Sequence, residues 1–263
     1  MSRLESTFAR LRADRRTGLV TYVTAGDPDL PRSAAILRAL DRAGADVIEV
    51  GVPFSDPLAD GPEIQRASER ALRAGATLDR VLDLVAGVRA EVAAPLVLFT
   101  YANPIVRMGE EAFARRAAAA GVDGVLVLDL PIEEAGRTHE ILTARGIAMI
   151  FLVSPTTTDE RMARAAALGR GFLYGISRLG VTGARDQVAS GARELAGRVR
   201  AVSSLPLAIG FGISQPSHVR EVGAWADAAV VGSALVRVIA EAGVAPDLTD
   251  RVSDFVRWIK GGR

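Results

Sequence analysis

The fold is decided by a unit that is clearest at Ala148-Met-Ile-Phe-Leu-Val-Ser-Pro-Thr-Thr-Thr-Asp159, in the second half of the 263-residue chain. Six apolar residues run without interruption, a short polar loop with a proline follows, and an Ala- and Arg-rich stretch begins at Asp159. An apolar run of this length without alternation predicts a β-strand that is buried on both faces. The stretch after the loop has the composition of an α-helix. The unit is therefore predicted to be a strand, a loop and a helix.

The same unit recurs along the whole chain. It predicts eight strands, at residues 19–24, 46–50, 96–101, 124–128, 148–153, 172–176, 207–210 and 228–231. The predicted helices are residues 33–43, 63–74, 78–92, 110–120, 132–145, 159–168, 188–202, 233–242 and 250–259. Doubly buried strands that alternate with helices predict a parallel sheet, and eight such units close most simply into a (β/α)8 TIM barrel.

A doubly wound open sheet is the alternative α/β fold, but the G-x-G-x-x-G expected after its first strand is missing. No linker, low-complexity tract or change in composition divides the chain. Residues 1–263 are therefore interpreted as one barrel domain, a length that such barrels commonly have.

The first eleven residues predict an extra helix ahead of the barrel. Ser2 and Glu5 have the spacing of a capping box, and Leu4, Phe8 and Leu11 recur on one helical face. The Arg- and Ser-rich composition also occurs in transit peptides, but the amphipathic pattern favours a helix packed on the domain. The expected location is therefore the cytoplasm of a bacterium.

Composition excludes several functional classes. The formal net charge is +1, from 32 basic and 31 acidic residues, so no large positive field favours nucleic acid. The absence of cysteine excludes thiolate nucleophiles, Cys-ligated zinc and a disulfide framework. Two histidines, His139 and His218, are too few for a three-His metal site, and both are predicted on solvated helix surfaces. No apolar run reaches the roughly 18 residues of a membrane-spanning helix.

Glu49 is the most telling single residue. Residues that act on a ligand in a parallel barrel lie at the carboxyl ends of its strands, and Glu49 lies at the end of the second. In Asp46-Val-Ile-Glu-Val-Gly51, alternation places Ile48 and Val50 on the face that suits packing under helices. Glu49 then projects into the barrel mouth, where partial burial raises a carboxyl pKa toward values useful for proton transfer. A structural carboxylate bound to loop backbone is the alternative.

The other loop aspartates have stronger structural interpretations. Asp60 and Glu63 fit the start of a helix, so capping is the first interpretation of Asp60. Asp27 and Asp56 precede prolines in turns, where the carboxylate commonly binds the backbone. For Asp129, the position after the fourth strand favours a site, and the proline two residues later equally favours a helix start.

Glycine-rich loops follow the last three strands. They are Gly180-Val-Thr-Gly183, Gly210-Phe-Gly212 and Gly232-Ser-Ala234. Such loops expose backbone N–H groups, and Gly232-Ser233 opens a helix whose N-terminus attracts an anion. Barrels frequently bind phosphate in this quarter. The loops therefore predict a phosphate site that requires no lysine.

The fifteen-residue segment Ile48-Glu-Val-Gly-Val-Pro-Phe-Ser-Asp-Pro-Leu-Ala-Asp-Gly-Pro62 closely resembles the signature of the tryptophan synthase alpha subunit family. Shorter motifs match that family in the same order: Thr24-Ala-Gly-Asp-Pro28, Tyr101-Ala-Asn-Pro104, Asp129-Leu-Pro131, Ser177-Arg-Leu-Gly-Val-Thr-Gly183 and Gly210-Phe-Gly-Ile-Ser214. The resemblance covers nearly the whole chain.

The resemblance implies a carbon–carbon lyase that cleaves indole-3-glycerol phosphate to indole and glyceraldehyde 3-phosphate. It implies an α2β2 complex in which a pyridoxal-phosphate-dependent beta subunit receives the indole, with no cofactor and no metal in this chain. Glu49 occupies the family's acid/base position. Asp60 matches its second carboxylate, which accepts the indole N–H and stabilises the ring cation. A stand-alone lyase and a non-catalytic phosphate-binding activator subunit are the alternatives.

On the same basis the substrate-binding residues are Tyr22, Ile64, Phe99, Leu126, Leu128, Asp129, Leu152, Tyr174, Thr182 and Phe211. The phosphate-binding residues are Gly183, Gly212, Gly232 and Ser233. Thr182 is expected to close over the substrate. Two departures from the family concern the pocket: Tyr22 stands where phenylalanine is common, and Phe99 is bulkier than the aliphatic residue often found there.

Overall fold

The computed structural model describes residues 1–176, 191–210 and 212–261. Eight parallel strands form a closed barrel in sequence order, with β8 paired to β1. The strands are β1 (Gly18–Thr24), β2 (Val47–Gly51), β3 (Leu96–Thr100), β4 (Gly124–Val127), β5 (Ala148–Val153), β6 (Leu173–Ile176), β7 (Leu207–Gly210) and β8 (Ala228–Val231). Every strand begins and ends within one residue of its predicted bounds. The predicted barrel is confirmed.

Twelve helices accompany the strands in the described residues. They are α1 (Arg3–Ala13), α2 (Leu30–Arg42), α3 (Pro62–Arg73), α4 (Leu78–Val88), α5 (Ala102–Met108), α6 (Glu110–Ala120), α7 (Gly136–Thr143), α8 (Asp159–Leu168), α9 (Gly191–Val202), α10 (Pro216–Gly223), α11 (Ser233–Ala242) and α12 (Leu248–Ile259). None of these helices combines the length and the apolar character needed to cross a membrane.

The helix predictions are wrong in two places, after β3 and after β4, where residues that are common in turns made the helix bounds ambiguous. The prediction missed α5, because Asn103-Pro104 indicates a turn, yet Pro104 stands in the first helical turn, where a proline removes no helical hydrogen bond. Residues 132–135 were predicted to be helical, but the helix begins only at Gly136.

Helix α1 closes the amino-terminal end of the barrel. The capping box is present: Glu5 N–H donates to Ser2 Oγ at 3.2 Å, and Ser2 N–H donates to the Glu5 carboxylate at 2.8 Å. Leu4, Phe8 and Leu11 are buried among the side chains of the barrel interior, and the Phe8 and Phe172 rings lie 5.4 Å apart. The predicted extra helix is therefore confirmed, and its apolar face covers the amino-terminal end of the barrel interior.

Two apolar layers enclose the strands. The outer layer lies between the strands and the helices and contains Ile48 and Val50. The inner layer fills the barrel and contains Val47, Val97 and Leu126. Alternation along β2 therefore sends the side chain of Glu49 inward, as the sequence predicts.

An aspartate ties the amino-terminal ends of β1 and β2 together. Asp46 accepts hydrogen bonds from Leu19 N–H at 2.9 Å and from two nitrogens of Arg16, at 2.6 and 3.0 Å. Lys260 Nζ lies 3.4 Å away. Burial by itself would raise the Asp46 pKa, but the hydrogen bonds from Arg16 and Leu19 outweigh it and hold the pKa below its usual value.

The same arrangement recurs at the starts of β4 and β8. Asp123 accepts from Leu96 N–H at 2.9 Å and from Arg89 at 3.1 Å. Asp227 accepts from Leu207 N–H at 2.7 Å. Each aspartate thus accepts from the first or second N–H of the neighbouring strand, a stabilising role typical of this end of a barrel.

Two polar residues differ from their sequence interpretation. Asp27 was expected to bind backbone, but its buried carboxylate forms a two-point ion pair with Arg70, at 2.7 and 2.8 Å. His218 was expected on a solvated surface, but it is buried, and its Nδ1 accepts from Ser214 N–H at 3.3 Å. The Asp27 contact joins residues 43 positions apart, and the His218 contact lies between the start of α10 and the loop just before it, so neither follows from the periodicity of one element.

Candidate active site

Glu49 lies inside the barrel in the middle of β2, two residues before the strand's carboxyl end. Its side chain has no solvent exposure, and neither carboxylate oxygen has a hydrogen-bond partner among the described residues. Its neighbours in the sheet are Tyr22 on β1 and Val97 on β3. Burial without a compensating charge raises the pKa of Glu49 to about 8, so Glu49 is mainly a neutral carboxylic acid at pH 7.

Asp60 lies in the loop between β2 and α3 and is also buried. The Tyr101 hydroxyl donates to Asp60 Oδ2 at 3.1 Å and accepts from Ala59 N–H at 3.2 Å. Burial raises the Asp60 pKa to about 6, and the Tyr101 hydrogen bond partly offsets that rise. Asp60 is therefore mainly ionised at pH 7, whereas Glu49 is mainly neutral.

The capping interpretation of Asp60 is wrong. The residue that caps α3 is Gly61, which forms no side-chain cap, and Pro62 takes the first helical position. Asp60 stands one residue too early to reach the helix N–H groups, and its carboxylate contacts Tyr101 instead.

A cavity at the barrel mouth encloses about 710 Å³ when its solvent-open part is included. Asp60 lines this cavity, whereas the fully buried Glu49 does not; the residue beside Glu49 in the sheet, Tyr22, does. Among the predicted site residues the cavity is lined by Tyr22, Asp60, Ile64, Phe99, Leu128, Leu152, Tyr174, Gly212, Gly232 and Ser233. Its wall also includes Ala59, Ile176, Ile213, Val230 and Ala234, which the sequence reasoning did not single out. These five residues could have been predicted from their positions, because each lies within two residues of a predicted site residue in the sequence.

Three aromatic rings form one side of the cavity. Tyr22 and Phe99 meet edge to face at a centroid distance of 5.2 Å, and Tyr174 lies 6.3 Å from Phe99. Burial raises the pKa of both tyrosines well above its usual value, so both phenols stay neutral. Apolar walls with neutral hydroxyl groups suit a flat heterocycle.

Two glycines leave room for the two phenols. A Cβ on Gly51 would lie 2.2 Å from the Tyr22 hydroxyl oxygen, and one on Gly210 would lie 2.5 Å from that of Tyr174. Any larger residue at either position would displace the ring that lines the cavity.

The start of α11, next to Tyr22, forms another part of the cavity wall. Gly232, Ser233 and Ala234 line it, and no side chain caps this helix. Gly212 lines the same side, with a left-handed φ of 73° that favours glycine. A helix start without a side-chain cap presents N–H groups and a positive dipole end suited to an anion.

The remaining predicted residues fall into two groups. Leu126 is fully buried in the barrel interior and does not line the cavity, and Asp129 is exposed and accepts from Ala102 N–H at 2.7 Å. Thr182, Gly183 and Phe211 lie outside the described residues.

Across the part of the chain that the structure describes, no three His, Asp or Glu side chains are gathered as a metal site requires. The chemical groups that line the cavity are thus the Asp60 carboxylate, phenols and backbone N–H groups, and the Glu49 carboxyl group is buried next to one of those phenols, Tyr22. This arrangement defines the class: a (β/α)8-barrel protein with a cavity at the carboxyl ends of its strands and two buried carboxyl groups of different pKa, one in the cavity wall and one next to a residue of that wall.

Comparison with known proteins identifies the family. The sequence model of the tryptophan synthase alpha chain family matches residues 8–257. The tryptophan synthase alpha chain of Roseiflexus sp. is 49% identical over 262 residues, which cover 99% of this chain and 100% of that protein. That of Geotalea daltonii is 47% identical, with 100% of this chain and 99% of that protein covered. The chain belongs to the tryptophan synthase alpha chain family.

Solved structures agree with this assignment. The tryptophan synthase alpha subunit of Legionella pneumophila superposes with a TM-score of 0.90 at 36% identity, covering 99% of this chain and 98% of that chain. A chain of Mycobacterium tuberculosis tryptophan synthase superposes with a TM-score of 0.89 at 41% identity, and 98% of each chain is covered. Both the sequence and the barrel therefore match the family over their whole described length.

Proposed function

We propose that this chain cleaves indole-3-glycerol phosphate into indole and glyceraldehyde 3-phosphate by a retro-aldol reaction, with Glu49 as the acid/base. The observation that carries the proposal is the pair of buried carboxyl groups, Asp60 ionised at pH 7 in the wall of an apolar cavity and Glu49 neutral beside Tyr22 of that wall. Family membership supports the substrate, and the burial and the pKa values of the two carboxyl groups support the roles proposed for them.

Glu49 moves two protons in this proposal. Its neutral carboxyl group first protonates carbon C3 of the indole ring, which makes the ring a leaving group. The resulting carboxylate then takes the proton from the hydroxyl on the glycerol carbon attached to C3. The bond between these two carbons breaks, its electrons return to the ring, and the hydroxyl carbon becomes the aldehyde. Glu49 gives one proton and takes one, so it ends protonated, as it began. A pKa of about 8 permits both steps.

Asp60 stabilises the charge that develops. As an ionised group it accepts the indole N–H, and its interaction with the ring strengthens when C3 is protonated and the ring becomes a cation. Because that charge exists mainly near the transition state, the interaction raises kcat more than it tightens substrate binding. Tyr101 holds the other oxygen of Asp60 in place.

The phosphate lies at the start of α11 in this proposal. Backbone N–H groups of Gly232 and Ser233 bind it, with Gly212 completing the site from the preceding loop. Two observations support this position: α11 has no side-chain cap, and Gly212 and Gly232 line the cavity. Gly183 and Thr182, the first as a further phosphate contact and the second as the residue that closes over the substrate, remain predictions from the resemblance.

The partner in this proposal is a beta subunit that holds pyridoxal phosphate and receives the indole in an α2β2 complex, in the cytoplasm. A structural relative from Pyrococcus furiosus, with a TM-score of 0.87 at 40% identity, is described as part of an α2β2 tryptophan synthase complex. The lyase reaction needs only this chain's own side chains and backbone, so this chain requires no cofactor of its own.

The test is indole release from indole-3-glycerol phosphate, measured with this chain alone and after addition of a tryptophan synthase beta subunit. Release that the beta subunit stimulates supports the proposal in full. Fast release by the chain alone that the partner does not change supports a stand-alone lyase. Absence of release under both conditions refutes the lyase and leaves a non-catalytic activator subunit.

A further inference from the structure

A second cavity lies at the amino-terminal end of the barrel. It encloses about 1050 Å³ when its solvent-open part is included. Its walls come from α1, from the chain just before β2 and β3, and from the end of α12. These walls lie at the starts of the strands, whereas the candidate active site lies at their carboxyl ends. The cavity is therefore separate from the two carboxyl groups and from the phosphate site proposed above.

One face of α1 contributes a polar stripe to this cavity. Arg3, Ser6, Thr7 and Arg10 follow the i, i+3, i+4, i+7 spacing of a helical face, and all four line the cavity. The apolar face of the same helix covers the barrel interior. The helix thus has an apolar face toward the barrel and a polar face toward the cavity.

Basic side chains outnumber acidic ones in the cavity wall. Four basic side chains line it, against two acidic ones, Asp41 and Asp46. Asp41 accepts a hydrogen bond from Ala94 N–H at 2.7 Å. Asp46 is shared between two of the bases, because Arg16 lies 2.6 Å and Lys260 3.4 Å from its oxygens. Both acids are therefore already engaged.

Arg10 is the base without a counter-charge. Arg3 has an acidic partner of its own at 3.1 Å, whereas Arg10 forms no ion pair and no side-chain hydrogen bond with any residue that the structure describes. Burial lowers the pKa of Lys260, and the positive charges of Arg16 and Arg10 add to that effect against the opposing charge of Asp46. The wall therefore has positive charge that the described side chains do not neutralise.

The Thr7 hydroxyl group is a further donor in the wall. Thr7 is only 6% exposed, and its hydroxyl makes no side-chain hydrogen bond within the described ranges of the chain. Its oxygen is not one of the fully buried polar atoms that lack a partner, so it is accessible from the cavity. A hydroxyl group at this position can donate to an anion that the neighbouring cations attract.

We propose that this cavity binds a multivalent oxyanion of the phosphate type, held by Arg10, Arg16, Lys260 and the Thr7 hydroxyl group. The guanidinium group presents a fork of N–H donors that matches phosphate oxygens, and the ammonium group adds a compact charge. Arg16 uses two of its five N–H donors on Asp46, and all five of Arg10 are available. The ligand is a second molecule and not the substrate of the proposed lyase, since the two sites lie at opposite ends of the barrel.

The first test locates the ligand. The full chain is titrated with inorganic pyrophosphate and, in parallel, with adenosine diphosphate, and amide chemical shifts are followed in ¹⁵N TROSY spectra. We expect saturable shifts at residues 3–10, 16, 44–46 and 260. Tighter binding of the nucleotide supports a phosphorylated metabolite as the ligand, and tighter binding of pyrophosphate supports a free anion. Shifts confined to residues 232–234, or no saturable shift, overturn the proposal.

The second test removes single contacts. Arg10→Gln removes the charge without a counter-charge, and Thr7→Val removes the hydroxyl group with almost no change of shape. We expect the Kd of pyrophosphate at this site to rise at least about tenfold in Arg10→Gln and about threefold in Thr7→Val. Thermal unfolding should show that both variants are folded.

Arg12→Gln is the matched control, because it removes the same charge from the same helix at a residue that lines a different cavity. Its Kd should stay within about twofold of the wild type. Equal weakening in Arg10→Gln and Arg12→Gln would indicate general attraction to a basic surface and overturn the site, as would an unchanged Kd in Arg10→Gln. These measurements need no turnover, so they decide the proposal even if the chain releases no indole.

Discussion

Two acids on one short segment have opposite surroundings: Asp46 lies just before β2 at the amino-terminal end of the barrel, and Glu49 lies inside the barrel, nearer its carboxyl end. Asp46, at the amino-terminal end, accepts hydrogen bonds from Arg16 and Leu19, and its pKa is lowered. Glu49, three residues later, has no partner for either oxygen, and its pKa rises to about 8. Asp46 stabilises the fold when it is ionised, whereas ionisation of Glu49 destabilises the fold.

The two acids also make stability depend on pH in opposite ways. The folded-state pKa of Glu49 is raised, so the fold loses stability as pH rises from the usual glutamate pKa through about 8. The folded-state pKa of Asp46 is lowered, so its contribution is present at neutral pH and is lost as pH falls through that lowered pKa. At neutral and higher pH, the buried Glu49 thus lowers the free energy of unfolding, whereas the ionised, hydrogen-bonded Asp46 raises it.

The largest expected effect separates activity from stability at Glu49. Glu49→Gln should reduce indole release to below a few per cent of the wild-type rate, because an amide cannot relay the two protons. Phosphate-ligand binding should persist. Thermal unfolding at pH 8.5 should show a higher Tm than the wild type, since no buried charge forms. If Glu49→Gln kept substantial turnover, Glu49 would not be the acid/base.

The converse variant is Asp46→Ala, at the other end of the same strand. Removing this carboxylate leaves Leu19 N–H, Arg16 and Lys260 without their acceptor. We expect the free energy of unfolding to fall by about 3 kcal/mol, measured by urea titration at pH 7. The kcat/KM of the folded protein should remain within about twofold of the wild type, as an effect on the fold alone predicts. A large loss of kcat at full folding would contradict the contrast between the two ends.

A smaller effect is expected at Asp60. Asp60→Asn should lower kcat by at least about tenfold, which corresponds to at least about 1.4 kcal/mol of lost transition-state stabilisation. An amide still accepts a hydrogen bond but lacks the charge that stabilises the ring cation. Steady-state kinetics distinguish the alternatives, because a change confined to KM would indicate ground-state binding instead.

The smallest effect concerns the pH profile. In the wild type, kcat/KM should fall below about pH 6, as Asp60 gains a proton, and above about pH 8, as Glu49 loses one. Tyr101→Phe removes the hydrogen bond to Asp60, so the acidic limb should move upward while the basic limb stays in place. A profile whose limbs do not respond to this variant would show that Asp60 does not set the acidic limb.

Much of the fold and part of the site could be predicted from the sequence. The strands were predicted to within one residue, because continuous apolar runs between helical stretches are local signals. The inward direction of Glu49 followed from alternation along β2. The helix cap assigned to Asp60 and the exposed surface assigned to His218 were wrong, since both depend on contacts with residues that are distant in sequence or on the path of a loop.

By itself, the sequence determined the order of strands and helices, the number of barrel units and the end of the barrel at which the carboxyl groups gather. Those properties depend on periodicity and chirality, which act over a few residues. Only the tertiary structure decided which carboxyl groups are ionised. A pKa depends on the charges and hydrogen-bond donors within a few ångströms, and the fold brings Tyr101 to Asp60 but no partner to Glu49 from the described residues.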